Sequence, residues 1–148
     1  MSNMNFFTPS KIIGLFLIIL GLNFVWEIFQ MPLYKNHSIG FFDTALIHLW
    51  ASLGDLLIFV IIYLLGLMAF RNRTWFSQKK YSPFILFVIC GFFIAIIIEK
   101  YALATGRWYY DKSMPIIPFI RVGLTPILQM IILPAIIIKI ARKSSQQK

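Results

Sequence analysis

The chain has 148 residues with a formal net charge of +9, and 59% of its residues are hydrophobic while only 13% are charged. The apolar residues fall in blocks of about 20, the length of a bilayer-spanning helix, and the polar segments between them are too short to bury a core of their own. These features exclude a separate soluble domain and predict an all-α, polytopic membrane protein with one integral membrane domain over residues 1–148.

Four apolar blocks predict a bundle of four transmembrane helices. To within about 2 to 4 residues, the predicted spans are Ile12 to Phe29, Ala45 to Phe70, Phe84 to Ala104 and Ile117 to Ile140. Lys11 before the first run also fits a signal peptide, but no small-residue cleavage pattern follows and the run is longer than a usual signal-peptide core. The first span is therefore predicted to be an uncleaved helix.

The first two spans each carry polar residues at helical spacing. Along the first span these are Asn23, Glu27 and Gln30, and along the second they are His48, Ser52 and Asp55. Positions i, i+4 and i+7 share one helix face, so each set predicts one polar stripe. Polar groups inside a membrane face the bundle interior, so we expect both stripes to face the other helices.

The third and fourth spans show the same periodicity. On the third, Gly91, Ala95 and Glu99 repeat every four residues, and small residues mark close helix contact, so this face is predicted to look inward and to carry Glu99 with it. On the fourth, the polar set is Arg121, Thr125 and Gln129. All four predicted helices thus bury polar stripes against each other.

Prolines and aromatic residues frame the last three spans. Pro118 is predicted to open the fourth helix, and Pro126 and Pro134 lie inside it, where each removes a backbone hydrogen bond and favours a kink. Tyr109 and Trp75 are typical of aromatic anchors at the two membrane interfaces.

Basic residues mark one side of the predicted bundle. They concentrate in the 71–82 break and in the C-terminal tail, with Lys11 before the first span, whereas the other two breaks carry little net charge. The positive-inside rule then places both termini and the middle loop in the cytoplasm, and the basic excess indicates attraction to anionic lipids. No folded basic surface suited to nucleic acid is visible, so nucleic acid is not an expected partner.

Under this topology the polar residues meet in the outer half of the bundle. Glu27 and Glu99 lie near the outer side, and Asp55 and Gln129 lie near the bilayer middle. Two interpretations are open: the ionisable side chains pair with each other to hold the helices together, or they line a cavity open to the outer side. Interhelical polar contacts average only about 0.6 kcal/mol, which favours the cavity.

The acids in this cluster predict acid–base chemistry. A carboxyl group in apolar surroundings can hold a proton near neutral pH, as a general acid or a proton relay requires. The candidate catalytic residues are Glu27, His48, Asp55 and Glu99. Asp55 or Glu99 is the expected proton donor, and His48 is the expected exchanging base.

The remaining polar and aromatic residues predict a site for a lipid-like substrate. The candidate substrate-binding residues are Asn23, Gln30, Trp50, Ser52, Arg107, Trp108, Arg121, Thr125 and Gln129. Arg107 and Arg121 suit a phosphate or carboxylate end, and Trp50 and Trp108 suit developing positive charge. Arg107 and Trp108 also begin a loop that returns over the cluster, as a lid does.

Other chemistries fail on spacing. His48, Ser52 and Asp55 do not form a hydrolytic triad, because the histidine must lie between the serine and the aspartate. A metal site at the catalytic candidates lacks a paired histidine, since the other histidine, His37, lies in a predicted loop. No phosphate loop, dinucleotide fingerprint or CxxC motif is present, and the single cysteine, Cys90, lies inside a span, so no cofactor, metal or disulfide is expected.

Most of the chain resembles a family of small bacterial four-helix membrane proteins, through the blocks NFVWEIFQMPLY, HLWASLGD, EKYALATGRWYYDKSMPIIP and VGLTPILQMIILP. This resemblance implies the fold and the bacterial inner membrane, and no function. About a quarter of the chain, with an acid at a helix end, Thr-Gly, an aromatic pair and a proline-opened helix, is similar to carotenoid-modifying membrane proteins, the small-subunit lycopene cyclases and carotenoid hydratases. In the cyclases the proline leads into two acids, whereas Pro118 leads to Phe119, Ile120 and Arg121. The resemblance thus implies a role for Glu99 and does not extend to cyclisation.

Two function classes follow from these observations. The first is an enzyme that modifies a membrane-dissolved lipid or isoprenoid by acid–base chemistry. The second is non-catalytic: a homo-oligomer, an assembly partner of another membrane protein, or a proton-linked carrier of a small molecule. A carrier needs a path to the cytoplasm, and the cytoplasmic half of the spans holds no charged residue except Lys139 at the end of the fourth span, which argues against a carrier unless an oligomer supplies the path.

Overall fold

In a computed structural model of the chain, residues 9–35 and 40–146 are described. They form four long helices, α1 (Pro9–Gln30), α2 (Phe41–Phe70), α3 (Ser82–Ala104) and α4 (Leu124–Gln146). All four are long and apolar enough to cross a membrane, which confirms the predicted all-α class with four apolar helices. His37 and Lys148 lie outside the described residues.

Contacts between connections define two ends of the molecule. At one end the Lys11 Nζ atom donates to the Ser144 carbonyl over 3.0 Å, and the Arg142 Nη2 atom donates to the Lys80 carbonyl over 2.6 Å. These contacts join the start of α1, the α2–α3 connection and the end of α4, and we call this the basic end. The α1–α2 and α3–α4 connections meet at the opposite end, which we call the hairpin end.

A β-hairpin occupies the place where the sequence predicts the start of the fourth helix. Strands β1 (Ile116–Ile117) and β2 (Val122–Gly123) pair antiparallel, so the prediction that the helix begins at Ile117 with Pro118 is wrong. The Arg121 N–H donates to the Ile117 carbonyl over 2.8 Å, and Arg121 has a φ of 51°. A left-handed residue cannot continue an α-helix, and α4 therefore begins only at Leu124.

Because α4 starts later than the sequence predicts, Pro126 lies in its first turn and not in its interior. Pro126 is the third residue of the helix, where a backbone N–H has no partner within the helix, so its absence costs nothing. The expected kink at Pro126 is therefore wrong. Pro134 lies inside the helix, as predicted, and its side chain is buried.

Trp75 is a core residue and not an interfacial anchor, which corrects the sequence interpretation. It is 1% exposed, its ring stacks on Phe87 with the centroids 5.7 Å apart, and its Nε1 atom donates to the Tyr63 carbonyl over 3.1 Å. Gly66 makes this possible, because a Cβ at that position would overlap the Trp75 ring. The α2–α3 connection is therefore folded into the molecule through a short 3₁₀ turn at Trp75–Ser77.

The half of the molecule near the basic end has an apolar core. Its buried members are Ile58, Ile62, Trp75, Phe76, Phe87, Ile138 and Ala141. A second apolar cluster joins α1 to α4 through Ile19, Leu133 and Ile137. The polar interior lies toward the hairpin end. The same helices that pack this apolar core carry the polar side chains.

Candidate functional site

Five polar side chains are buried in the described part of the chain. They are Asn23, Gln30, Ser52, Glu99 and Gln129. Each belongs to a polar stripe that the helical spacing predicts, and they come from all four helices. Burial of polar groups in an apolar bundle is costly unless they are hydrogen-bonded, so their partners decide what the site can do.

Glu99 is the hub of the first group of contacts. It is 5% exposed, and its Oε1 atom accepts a hydrogen bond from the Tyr34 hydroxyl over 3.4 Å. Its Oε2 atom accepts from the Trp108 Nε1 atom over 3.2 Å and also from the Tyr110 hydroxyl. The Tyr110 oxygen in turn accepts from the Gly123 N–H over 2.9 Å. One carboxylate thus holds α3, both connections at the hairpin end and the strand before α4.

Backbone pairing between the two connections supports this arrangement. The Lys35 N–H donates to the Tyr109 carbonyl over 2.9 Å, and the Asp111 N–H donates to the Leu33 carbonyl over 2.9 Å. Tyr34 and Tyr110 are the paired residues of the isolated antiparallel β-bridge that these two hydrogen bonds form. In extended backbone, side chains alternate between faces, so Tyr110 points inward with Trp108 while Tyr109 is exposed.

The two phenols of this group act as hydrogen-bond donors. Burial, with the negative charge of Glu99 as the next cause, raises the pKa of Tyr34 far above its ordinary value. Burial, followed by the hydrogen bond to Glu99, also raises the pKa of Tyr110. Both hydroxyls therefore keep their protons over the physiological range and remain available to Glu99.

Glu27 and His48 form a second group between α1 and α2. The Glu27 Oε2 atom lies 3.5 Å from His48 Nδ1, and the side chains are 12% and 14% exposed. These atoms are within ion-pair distance but are not aligned as a hydrogen bond, so Nδ1 has no hydrogen-bond partner in the described residues. The Gln30 Nε2 atom donates to Glu27 Oε1 over 2.9 Å, which fixes one carboxylate oxygen and leaves the other directed at the imidazole.

Gln129 connects the third group across three helices. Its Nε2 atom donates to the Asp55 Oδ2 atom over 2.7 Å and to the Asn23 Oδ1 atom over 2.9 Å. Asn23 donates in turn to the Ile19 carbonyl over 2.8 Å. Ser52 does not join this group, because its hydroxyl donates to the His48 carbonyl of its own helix over 2.7 Å. That bond also agrees with the sequence argument against a hydrolytic triad.

The three groups form one interior that contains the carboxyl groups of Glu27, Asp55 and Glu99. Glu27 interacts electrostatically with both Asp55 and Glu99, and His48 is the only basic side chain paired with any of them in the described residues. Arg107 is exposed, with its guanidinium 5.1 Å from the centre of the Tyr101 ring, so it is not in the cluster. The interior therefore offers acids and a histidine without an arginine or a lysine.

Three other predicted site residues lie away from the cluster. Arg121 is exposed in the hairpin turn, because it precedes α4 and is not on the helical stripe. Trp50 is 66% exposed on α2. Thr125 is partly buried, and its hydroxyl lies 3.5 Å from the Met114 sulfur. The interpretation that Arg121 belongs to the polar stripe of the fourth helix is therefore wrong.

Sequence reasoning missed two residues of the site. Tyr34 and Tyr110 lie on the connections at the hairpin end, 65 and 11 positions from Glu99. Helical spacing carries no information about either. The alternation of Trp108, Tyr109 and Tyr110 is the signal that could have found Tyr110, because every second residue of an extended segment shares a face.

Space near the polar groups is divided between a small cavity and a wide groove. The cavity has a volume of about 10 Å³ and is lined by Asn23, Asp55 and Gln129 on its polar side, which leaves room for about one water molecule. The groove has a volume of about 490 Å³. It is lined by Leu17, Leu20, Gly21, Phe24, Phe42, Ala45, Leu46 and Leu49. Asp55 thus faces a tight interior, and the larger space lies beside α1 and α2.

Among the residues that the structure describes, no three His, Cys, Asp or Glu side chains are grouped so that they could hold a metal ion. Comparison with family models, curated proteins and solved structures gives no match to the chain. The family resemblances noted in the sequence stay predictions.

Proposed function

We propose that this chain is a membrane enzyme that modifies an uncharged lipid or isoprenoid by acid–base chemistry. The observation that carries the proposal is the 3.5 Å approach of Glu27 Oε2 to His48 Nδ1 between two helices. A carboxylate next to an imidazole can hold the ring in one orientation, and such a pair can pass a proton to or from a substrate.

The contacts divide the roles among the acids. Both oxygens of Glu99 already accept hydrogen bonds from three donors, so Glu99 is better suited to position the connections than to exchange a proton. Asp55 is held by Gln129 beside a cavity of about 10 Å³, which leaves little room for a substrate. Glu27 and His48 remain as the catalytic pair, with Asp55 and Glu99 as positioning residues.

The groove supports a lipid-like substrate. Phe24 precedes Glu27 by three residues on α1, and Ala45 precedes His48 by three residues on α2, so the pair lies about one helical turn beyond these two lining residues, and neither member of the pair lines the groove itself. The groove has a volume of about 490 Å³. A hydrocarbon chain of that size fits an apolar lining without hydrogen-bonding demands.

Among the described residues, the interior provides no arginine or lysine that could bind an anionic head. Arg107 and Arg121, which the sequence assigns to hold a phosphate or carboxylate, are both exposed away from the buried carboxyl groups. We therefore propose an uncharged substrate. The resemblance to carotenoid-modifying proteins, itself a prediction, favours an isoprenoid.

The proposal includes a location in the bacterial inner membrane with both termini in the cytoplasm. Its support is the segregation of basic residues at the end that carries the start of α1 and the end of α4. Reporter fusions at each connection test this part by themselves.

Whole-cell lipid profiles of variant strains test the enzymatic proposal. Glu27→Gln and His48→Asn should each abolish the change in the lipid profile that expression of the chain produces, while Asp43→Asn, an exposed acid in the first turn of α2, should not. Asp55→Asn and Glu99→Gln should reduce the change in proportion to lost folded protein. If inserted Glu27→Gln and His48→Asn proteins give the wild-type profile, the catalytic pair is refuted.

A non-catalytic assembly role is the second candidate. Phe119, at the tip of the hairpin, is 98% exposed, and Ile116 beside it is 42% exposed, so this hairpin offers an apolar contact to another chain or to a second copy. Phe119→Ser tests this reading. If Phe119→Ser loses a co-purifying protein or an oligomer, and Glu27→Gln and His48→Asn leave the lipid profile unchanged, assembly would be favoured over catalysis.

A further inference from the structure

The net charge of the chain lies entirely at the basic end. Of 14 basic residues, nine belong to this end, and the other five are matched in number by the 5 acids, which all lie elsewhere. The nine are Lys11, Arg71, Arg73, Lys79, Lys80, Lys139, Arg142, Lys143 and Lys148, the last of which lies outside the described residues. Binding of anions to such a surface lowers the electrostatic repulsion between its basic side chains.

The α2–α3 connection and the end of α4 bring part of this charge to one place. The Arg142 Nη2 atom donates to the Lys80 carbonyl over 2.6 Å, so the backbone of the Lys79–Lys80 pair lies against α4. Lys139 and Lys143 are four residues apart on that helix and flank Arg142. Like charges at this spacing destabilise a helix. All four lysines are exposed.

The loop that carries Lys79 and Lys80 is held in a fixed position before any ligand arrives. The Tyr63 hydroxyl donates to the Arg73 carbonyl over 2.9 Å, and the buried Trp75 ring donates to the Tyr63 carbonyl over 3.1 Å. These two bonds tie the first half of the connection to α2, and the hydrogen bond from Arg142 to the Lys80 carbonyl ties its end to α4. A preorganised group of cations loses less conformational entropy when it binds an anion.

We infer that Lys79, Lys80, Lys139 and Lys143 form a binding site for an anionic lipid whose headgroup carries two phosphates. Lysine ammonium groups bind phosphates as point charges, and the α2–α3 connection and α4 each supply two of them. The proposal assigns one phosphate to the lysine pair of the connection and the other to the pair on α4. The end of a membrane-spanning helix is the level at which lipid phosphates lie, which favours a lipid over a soluble anion.

Lipid binding to the full chain in detergent micelles, measured by native mass spectrometry, tests the inference. A diphosphate lipid of the cardiolipin type should bind more tightly than phosphatidylglycerol, and phosphatidylcholine should bind least. Lys79→Gln/Lys80→Gln/Lys143→Gln should weaken binding of the diphosphate lipid about 100-fold. The matched triple variant Lys100→Gln/Lys112→Gln/Arg121→Gln removes the same charge from the hairpin end and should change binding by less than about threefold.

Four outcomes would overturn the site. Equal loss in both triple variants would mean attraction by net charge alone, and equal binding of the two anionic lipids would remove the requirement for two phosphates. Displacement of the lipid by an equal concentration of inorganic pyrophosphate would assign the site to a soluble anion. If the first triple variant loses helix content by circular dichroism, Lys79→Gln and Lys143→Gln singly should each weaken binding about fivefold, and unchanged binding in both would refute the inference.

Discussion

Replacing Glu99 by glutamine removes one charge and leaves the shape of the side chain unchanged. In the wild-type protein the carboxylate accepts from the Tyr34 and Tyr110 hydroxyls and from the Trp108 indole. Glutamine offers one carbonyl oxygen, which can face the two donors at the Oε2 position. Its NH₂ group then faces Tyr34, whose hydroxyl must rotate to accept a hydrogen bond.

The size of the effect follows from the change of acceptor. Hydrogen bonds to a charged group contribute about 1.5 to 3 kcal/mol each and neutral ones about 1 kcal/mol, so weakening two of them should cost about 2 kcal/mol. Glu99→Leu leaves all three donors without an acceptor, at about 1 to 3 kcal/mol each. We therefore expect Glu99→Leu to destabilise the protein by about 3 to 9 kcal/mol, more than the roughly 2 kcal/mol expected for Glu99→Gln.

Unfolding of the purified chain in mixed micelles, with increasing fractions of a denaturing detergent, measures these differences through helix circular dichroism. Lys100→Gln is the matched control, because it introduces the same amide at the adjacent, exposed position, and it should change the free energy of unfolding by less than about 0.5 kcal/mol. A free energy for Glu99→Gln as close to wild type as that of Lys100→Gln would refute the hub role of this carboxylate.

Three further changes test other parts of the structure. Gly66→Ala should cost about 1 to 3 kcal/mol of unfolding free energy because its methyl group overlaps the buried tryptophan ring, whereas Gly54→Ala, with open space around it, should stabilise α2 by up to about 1 kcal/mol; equal effects would contradict the packing. Because the pKa of Tyr34 is raised above the ordinary 10.0, the unfolded phenol ionises first, so the contribution of Tyr34 to stability should be constant below pH 10 and fall above it by up to about 1.4 kcal/mol per pH unit, and Tyr34→Phe should remove this part of the slope. Gln129→Leu breaks two hydrogen bonds and should cost about 2 to 5 kcal/mol, against less than about 1 kcal/mol for Gln78→Leu in the α2–α3 connection; similar losses would mean that the buried amide contributes little.

Helical periodicity identifies every polar residue that is buried in the described part of the chain, although it also includes Arg121, which is exposed. Asn23, Gln30, Ser52, Glu99 and Gln129 were assigned to inward stripes from spacing alone, and all five are buried. The reason is that position on a regular helix determines the face, and lipid leaves a polar face nowhere else to go. Which stripe residues would pair with each other did not follow from the same argument, because pairing depends on the rotation and depth of each helix.

The errors fall where contacts are distant in the sequence or where the backbone leaves the helix. The spacing predicts a helical position for Arg121 because the polar stripe extends to it along a continuous apolar segment. In the structure Arg121 has a left-handed φ of 51°, since it lies in a turn in which its N–H donates to the Ile117 carbonyl. Trp75 was assigned to the interface because tryptophan is common there. Its actual place depends on the space left by Gly66 on another element.

The hydrogen bonds of Gln129 have a consequence for biogenesis. Asn23 and Asp55 leave the ribosome 106 and 74 residues before the amide that they share, so in the proposed membrane location helices α1 and α2 would enter the bilayer before their oxygens have this donor. Until α4 is synthesised, water in the insertion channel or a membrane chaperone must solvate them. A nascent chain stalled before Leu124 is thus an exposed substrate for membrane quality control, and release of the last helix completes the molecule.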